Sequence, residues 1–187
     1  MKHKFLYAAL TAALLAAPVF TACSGDDDDT EQKDKDQFEV ASQEIKYTVT
    51  VKETGLVGLP ITNVADLYVN YVENGDGNVH QVPITNGKAE VYIKQTKFPY
   101  SIKLYTTMAP KADANVDTGS NYSIDVSYTY GYTTTYKNGK KGGEIEPDHQ
   151  SLGMSGDKVI DYLNRHGGED RVRTYTFDPS GNYVSNK

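Results

Sequence analysis

The chain has 187 residues, with 19 Lys and Arg against 25 Asp and Glu and a formal net charge of −6. That acidic balance provides no basic field for a nucleic-acid backbone, so nucleic acid is not expected as a partner. Fifteen Tyr, no Trp and a single Cys place the aromatic content on one ring type and leave no internal disulfide to brace a core.

The first predicted element is "MKHKFLYAALTAALLAAPVF". Lys2, His3 and Lys4 precede an apolar stretch rich in Ala and Leu, the layout of a secretory signal peptide over residues 1–22. From Phe5 to Phe20 it is shorter than the roughly 20 apolar residues a membrane span needs, and no other apolar run of this kind follows.

The next residues, "FTAC", place Thr21 and Ala22 before Cys23, with Phe20 where Leu is usual. This resembles the lipobox of bacterial lipoproteins, whose cysteine becomes the lipidated N-terminus. Ser24, Gly25, Asp26, Asp27, Asp28 and Asp29 then resemble the acidic export signal of Bacteroidota surface lipoproteins. The resemblance covers only about the first thirty residues. It implies a lipid-bilayer anchor through acyl chains on Cys23 and a place on the outer membrane, facing the exterior. Each buried acyl CH₂ contributes about 0.8 kcal/mol to such an anchor.

Loss of Lys2 and Lys4 with the signal peptide leaves 17 of the 19 Lys and Arg against 25 Asp and Glu, a net of −8. Residues 26–36 hold seven Asp and Glu and two Lys, which is −5 of that total. A run so charged and so poor in apolar residues cannot order itself by burial. Residues 23–37 therefore read as the lipidated cysteine and a flexible acidic stalk, and residues 38–187 as one domain.

Within that domain, "EIKYTVTVKE" puts Ile45, Tyr47, Val49 and Val51 on one face of a strand. "DLYVNYVE" does the same with Leu67, Val69 and Tyr71. After the turn "NGDGN" comes "VHQVPIT", where Pro83 implies an edge strand because proline has no N–H to donate. Asn86-Gly87 is a hairpin signal leading into "KAEVYIK" and then "YSIKLYTT". The longest strand is "NYSIDVSYTYGYTTTY", with Tyr122, Ile124, Val126, Tyr128, Tyr130 and Tyr132 at alternate positions. Gly131 reads as a bulge or bend, and "KNGKKGGE" as a mobile loop. "SGDKVIDYLNRHGG" predicts a helix capped by Ser155 or Asp157, striped by Val159, Ile160 and Leu163 and stopped by Gly167. "RVRTYTF" is the last strand. The fold class implied is all-β, an immunoglobulin-like β-sandwich of about seven strands with one late C-terminal helix.

Several stretches resemble chemistry. Asp117-Thr118-Gly119-Ser120 resembles the catalytic loop of aspartic proteases, but such sites need two carboxylates sharing a proton and no second copy exists. Asn74, Asp76 and Asn78 alternate as in a calcium loop, yet Val79 and Thr85 stand where an EF-hand needs Gly and Glu. His80, His149, His166, Met108 and Met154 are the candidate haem or metal ligands, without paired spacing. A G-x-S-x-G elbow and a phosphate-binding P-loop are absent.

The expected reading is a non-enzymatic binding or adhesion module with no cofactor and no metal. Its candidate ligand-binding residues are Tyr68, Tyr92 and Tyr105, which alternation places opposite the apolar rows, where they form a platform for a glycan or a protein if their strands share a sheet. The alternatives are a structural accessory subunit of a surface complex, with the Tyr-rich strand as its assembly edge, or a haem- or metal-binding lipoprotein.

Overall fold

The computed structural model describes residues 38–53 and 57–184. The signal peptide, Cys23 and the acidic run lie outside the described residues. Nine strands are found among them: β1 (Val40–Val51), β2 (Leu59–Pro60), β3 (Ala65–Glu73), β4 (His80–Pro83), β5 (Lys88–Gln95), β6 (Tyr100–Pro110), β7 (Asn121–Tyr136), β8 (Lys141–Ser155) and β9 (Asp170–Phe177). One helix, α1 (Val159–His166), lies between β8 and β9.

The strands form two sheets. The first runs β8, β7, β1, β5, with β2 lying parallel to the start of β7. The second runs β4, β3, β6, β9. Together they make the all-β sandwich that the alternation implied, with two strands more than the seven expected. Pro83 does sit on an edge strand, and Asn86 and Gly87 form the hairpin turn with φ of 50° and 73°.

The core lies where the period-2 pattern put it. Ile45, Tyr47 and Val49 of β1 are wholly buried, as are Leu104 of β6 and Val126 of β7. Tyr122, Tyr128 and Tyr130 join them, so three of the long Tyr strand's five rings pack between the sheets. Burying each such large side chain contributes about 1.5–3 kcal/mol. Gln43 is the polar exception at 0 % exposure; its amide donates to Gly181 O (2.7 Å) and accepts from Thr134 Oγ1 (3.0 Å).

Five expectations change. The segment expected as a loop turns only over residues 137–140, and Lys141 begins the 15-residue strand β8. Because β8 pairs with β7 from Asn121 to Thr135, the Tyr strand is not an edge. Gly131 is not a bulge: its pairing runs unbroken from Lys46 on one side to Ile145 on the other. A Cβ there would lie 2.2 Å from Glu144 O, so glycine is required by close approach of the two backbones. In α1 the buried stripe is Val159, Tyr162 and Leu163, while Ile160 faces solvent. Ser155 and Asp157 cap no backbone N–H; they bond each other, and a single 3₁₀ turn (Gly156–Lys158) leads into the helix. Gly167 follows its last residue, as expected.

β8 is an edge of the first sheet and β9 an edge of the second, so α1 carries the chain from one sheet to the other across the open side of the sandwich. Pro147 sits in the middle of β8, opposite Thr129, and the next N–H but one, that of His149, is taken by Asp148 Oδ1 (2.7 Å).

Candidate functional site

The three candidate tyrosines do not meet. Tyr92 lies on β5 in the first sheet, whereas Tyr68 and Tyr105 lie on β3 and β6 in the second. Tyr105 does point away from the core row, but it is only 6 % exposed. β6 is an inner strand, Asn70 lies directly opposite Tyr105, and the Lys103 ammonium sits 5.5 Å from its ring centre. Neighbours on both sides therefore cover a ring that alternation alone would leave exposed, and a shared platform is ruled out.

Tyr68 has a different setting. At the C-terminal end of β1 a cleft of about 700 Å³ opens between residues 51–53, the 3₁₀ turn Ile61–Asn63, the start of β3 and the β4–β5 hairpin. Tyr68, Pro83 and Ile84 line it together with Asp66, Asn86 and Lys111. Its walls are tied by polar bonds: Thr62 donates to Glu53, and the Lys111 ammonium donates to Thr62 O. The volume falls within the range of about 300–1,000 Å³ typical of small-ligand sites. The cleft also has a definite direction. The described chain enters the first sheet at Val40, and the twelve residues of β1 carry it to Val51 at the rim of the cleft. At about 3.4 Å per residue the two ends are roughly 37 Å apart.

The open side between β8 and β9 holds a group of residues that sequence reasoning missed. The Arg171 guanidinium carbon lies 4.4 Å from the Tyr128 ring centre and pairs with Asp148. Arg173 repeats the arrangement two residues on, 4.1 Å from the Tyr130 ring centre and 3.4 Å from Glu146. Gln150 Nε2 then donates to the Tyr162 hydroxyl (2.8 Å). Burial pushes the Tyr128 hydroxyl up to about 12, against the opposing pull of Arg171. These contacts close the side of the sandwich. Arginines spaced two apart on "DRVRTYTF" signal one charged strand face, but no apolar alternation marks their partners on β8 as strand residues.

The remaining motifs bind their own loops. Asp117 accepts from the Gly119 N–H (2.9 Å) and the Ser120 hydroxyl (2.6 Å), and these bonds hold its carboxyl below the usual range. Asp76 likewise accepts from the side chain and backbone of Asn78, which lowers it. His80 stacks on Tyr71 (4.6 Å), His149 bonds Asp125 (2.9 Å), and His166 bonds Asp170 (2.7 Å). Met108 is buried in the core and Met154 packs at its margin. Among the described residues no three His, Cys, Asp or Glu side chains gather into a metal site, and no helix is long and apolar enough to cross a membrane. Compared with protein-family models, with curated proteins and with solved structures, the chain matches none.

Proposed function

We propose that this chain is a non-catalytic binding module, anchored to the outer membrane through acyl chains on Cys23 and presenting the cleft beside Tyr68 to the exterior. The observation that supports it best is the position of the cleft. It lies at the end of β1 away from Val40, and hence away from the side on which a tether through Cys23 joins the domain. A site so placed lies on the side of the domain opposite its tether, where the anchor does not obstruct it. Its lining mixes one aromatic ring and short apolar side chains with amide, carboxylate and ammonium groups, which suits a hydroxyl-rich ligand such as a glycan, or a polar loop of a protein. A screen of the chain against immobilised glycans and envelope or host proteins tests this reading. Binding that Tyr68→Ala and Asn86→Ala both weaken supports it; a ligand whose binding neither substitution alters places the site elsewhere.

A further inference from the structure

The outward face of the first sheet carries a separate feature. One row across four strands reads Ile145 on β8, Gly131 on β7, Lys46 on β1 and Tyr92 on β5, each directly opposite the next. Gly131 has no side chain to raise above the sheet. Lys46 is drawn toward Glu90 (3.3 Å), which already accepts from Lys88 (3.2 Å). The result is a hollow of about 130 Å³ bounded by Tyr92 and Ile145, with Thr129 and Thr133 beside its floor. It continues past Thr133 over Gly143, where a Cβ would lie 2.1 Å from Tyr132 O. Glycine is therefore required by backbone approach at both points, and the open floor follows from that requirement.

The chemistry of this face is selective. From Ser127 to Thr135 the outward positions of β7 are Ser127, Thr129, Gly131, Thr133 and Thr135, a lane of hydroxyls and one bare backbone that Asp125 precedes. The carboxylates beside it are already engaged: Glu44 with Lys94 (3.4 Å), Glu90 with both Lys46 and Lys88, and Asp125 with His149 (2.9 Å), while Lys141 stands at the far end of the lane. A cationic ligand would have to break these contacts. Two large apolar side chains remain exposed, Ile145 at 70 % and Tyr92 at 54 %. They stand at opposite sides of the hollow and make no continuous apolar patch of the size a protein partner would need. A pyranose ring matches what is left. Its C–H face covers an aromatic or aliphatic side chain, its equatorial hydroxyls meet the threonines, it carries no charge, and one ring is of the size of the hollow.

We infer that this lane binds a neutral polysaccharide, with one pyranose seated over Gly131 between Tyr92 and Ile145 and the chain lying along β7. The site is distinct from the cleft beside Tyr68 and does not depend on it. Affinity electrophoresis tests it, using the full chain in a polyoxyethylene detergent so that no sugar headgroup competes. The gels contain a soluble α-glucan, β-glucan, xylan or mannan. At least one of them retards the protein. Tyr92→Ala and Ile145→Asp each weaken that binding about tenfold or more, equivalent to about 1.4 kcal/mol. Tyr92→Phe keeps the binding. Both altered side chains are exposed, and circular dichroism of each variant confirms the fold. The proposal is overturned if none of the four polysaccharides retards the chain, or if retardation survives Tyr92→Ala. It is equally overturned if only Tyr68→Ala abolishes retardation, which assigns the glycan to the cleft. Self-association that Tyr92→Ala abolishes also overturns it, because the occupant is then a second copy of the chain.

Discussion

Arg171 on β9 holds its guanidinium against the ring of Tyr128 on β7, joining the edge of one sheet to an inner strand of the other. To reach this position Arg171 adopts φ 51°, in the left-handed region, within the irregular pairing between β6 and β9. Such a conformation costs a side-chain-bearing residue about 1–2 kcal/mol.

Two substitutions at this one position separate the contact from the strain. Arg171→Ala removes the ring contact and the partner of Asp148 while retaining the unfavourable backbone. It should destabilise the domain by about 2–3 kcal/mol in urea melts, as loss of a charged hydrogen-bond partner does. Arg171→Gly loses the same contacts but relieves the backbone, so it should recover about 1 kcal/mol of that loss. Equal melts for the two variants would show that the conformation carries no strain.

The tyrosines should divide by burial. Tyr128→Ala and Tyr105→Ala each remove a covered ring and should cost about 3 kcal/mol or more. Tyr68→Ala and Tyr92→Ala, on open surfaces, should stay within about 1 kcal/mol of the parent. Denaturant midpoints of the four variants measured side by side decide the matter, and a silent Tyr105→Ala would show that its neighbours close over the space.

Stability should fall in alkali. Burial raises the Tyr128 hydroxyl from its ordinary 10 to about 12, and Tyr47, Tyr100 and Tyr175 are raised in the same direction, chiefly by burial. Below pH 10 folded and unfolded chains both keep these protons, and the contribution is complete. Between pH 10 and 12 the unfolded chain releases the Tyr128 proton and the folded chain retains it, so stability declines as pH rises, by about 1.4 kcal/mol per unit for each such group. The tyrosinate absorbance contributed by these four rings should therefore rise together with loss of near-ultraviolet circular dichroism, rather than ahead of it.

Cys23→Ser should move the protein from the detergent phase to the aqueous phase in a partition assay. Deleting Asp26 to Asp29 should leave the melt unchanged while reducing protease shaving from intact cells. Unaltered partitioning by Cys23→Ser would remove the anchor from the proposed function.

The contrast between β1 and β8 explains what the sequence could convey. β1 declares itself because its inward positions are Ile45, Tyr47 and Val49, which meet the opposing apolar row. β8 does not, because its inward positions Glu146, Asp148 and Gln150 meet Arg173, Arg171 and Tyr162. A strand whose core-facing partners are charged shows no apolar alternation, and so "KGGE" reads as the end of a loop and "IEPDHQ" gives no strand signal. Tyr105 was obscured for another reason. Period 2 gives the face of a residue but not the reach of its neighbours, and Lys103 and Asn70 supply the cover. The cleft and the Gly131 hollow both depend on which strands are adjacent, a relation between distant segments that no local pattern contains.

The middle of β8 has a consequence for how the protein behaves in a crowd. An open strand edge is a template, and molecules held side by side on a surface meet edge to edge at high local concentration. Pro147 offers no proton there, and the Asp148 carboxylate already occupies the His149 N–H. A strand approaching from a neighbouring molecule would find its ladder interrupted at the centre, where continuous pairing is needed most. Neighbouring molecules can thus meet at the β8 edge without their sheets joining there.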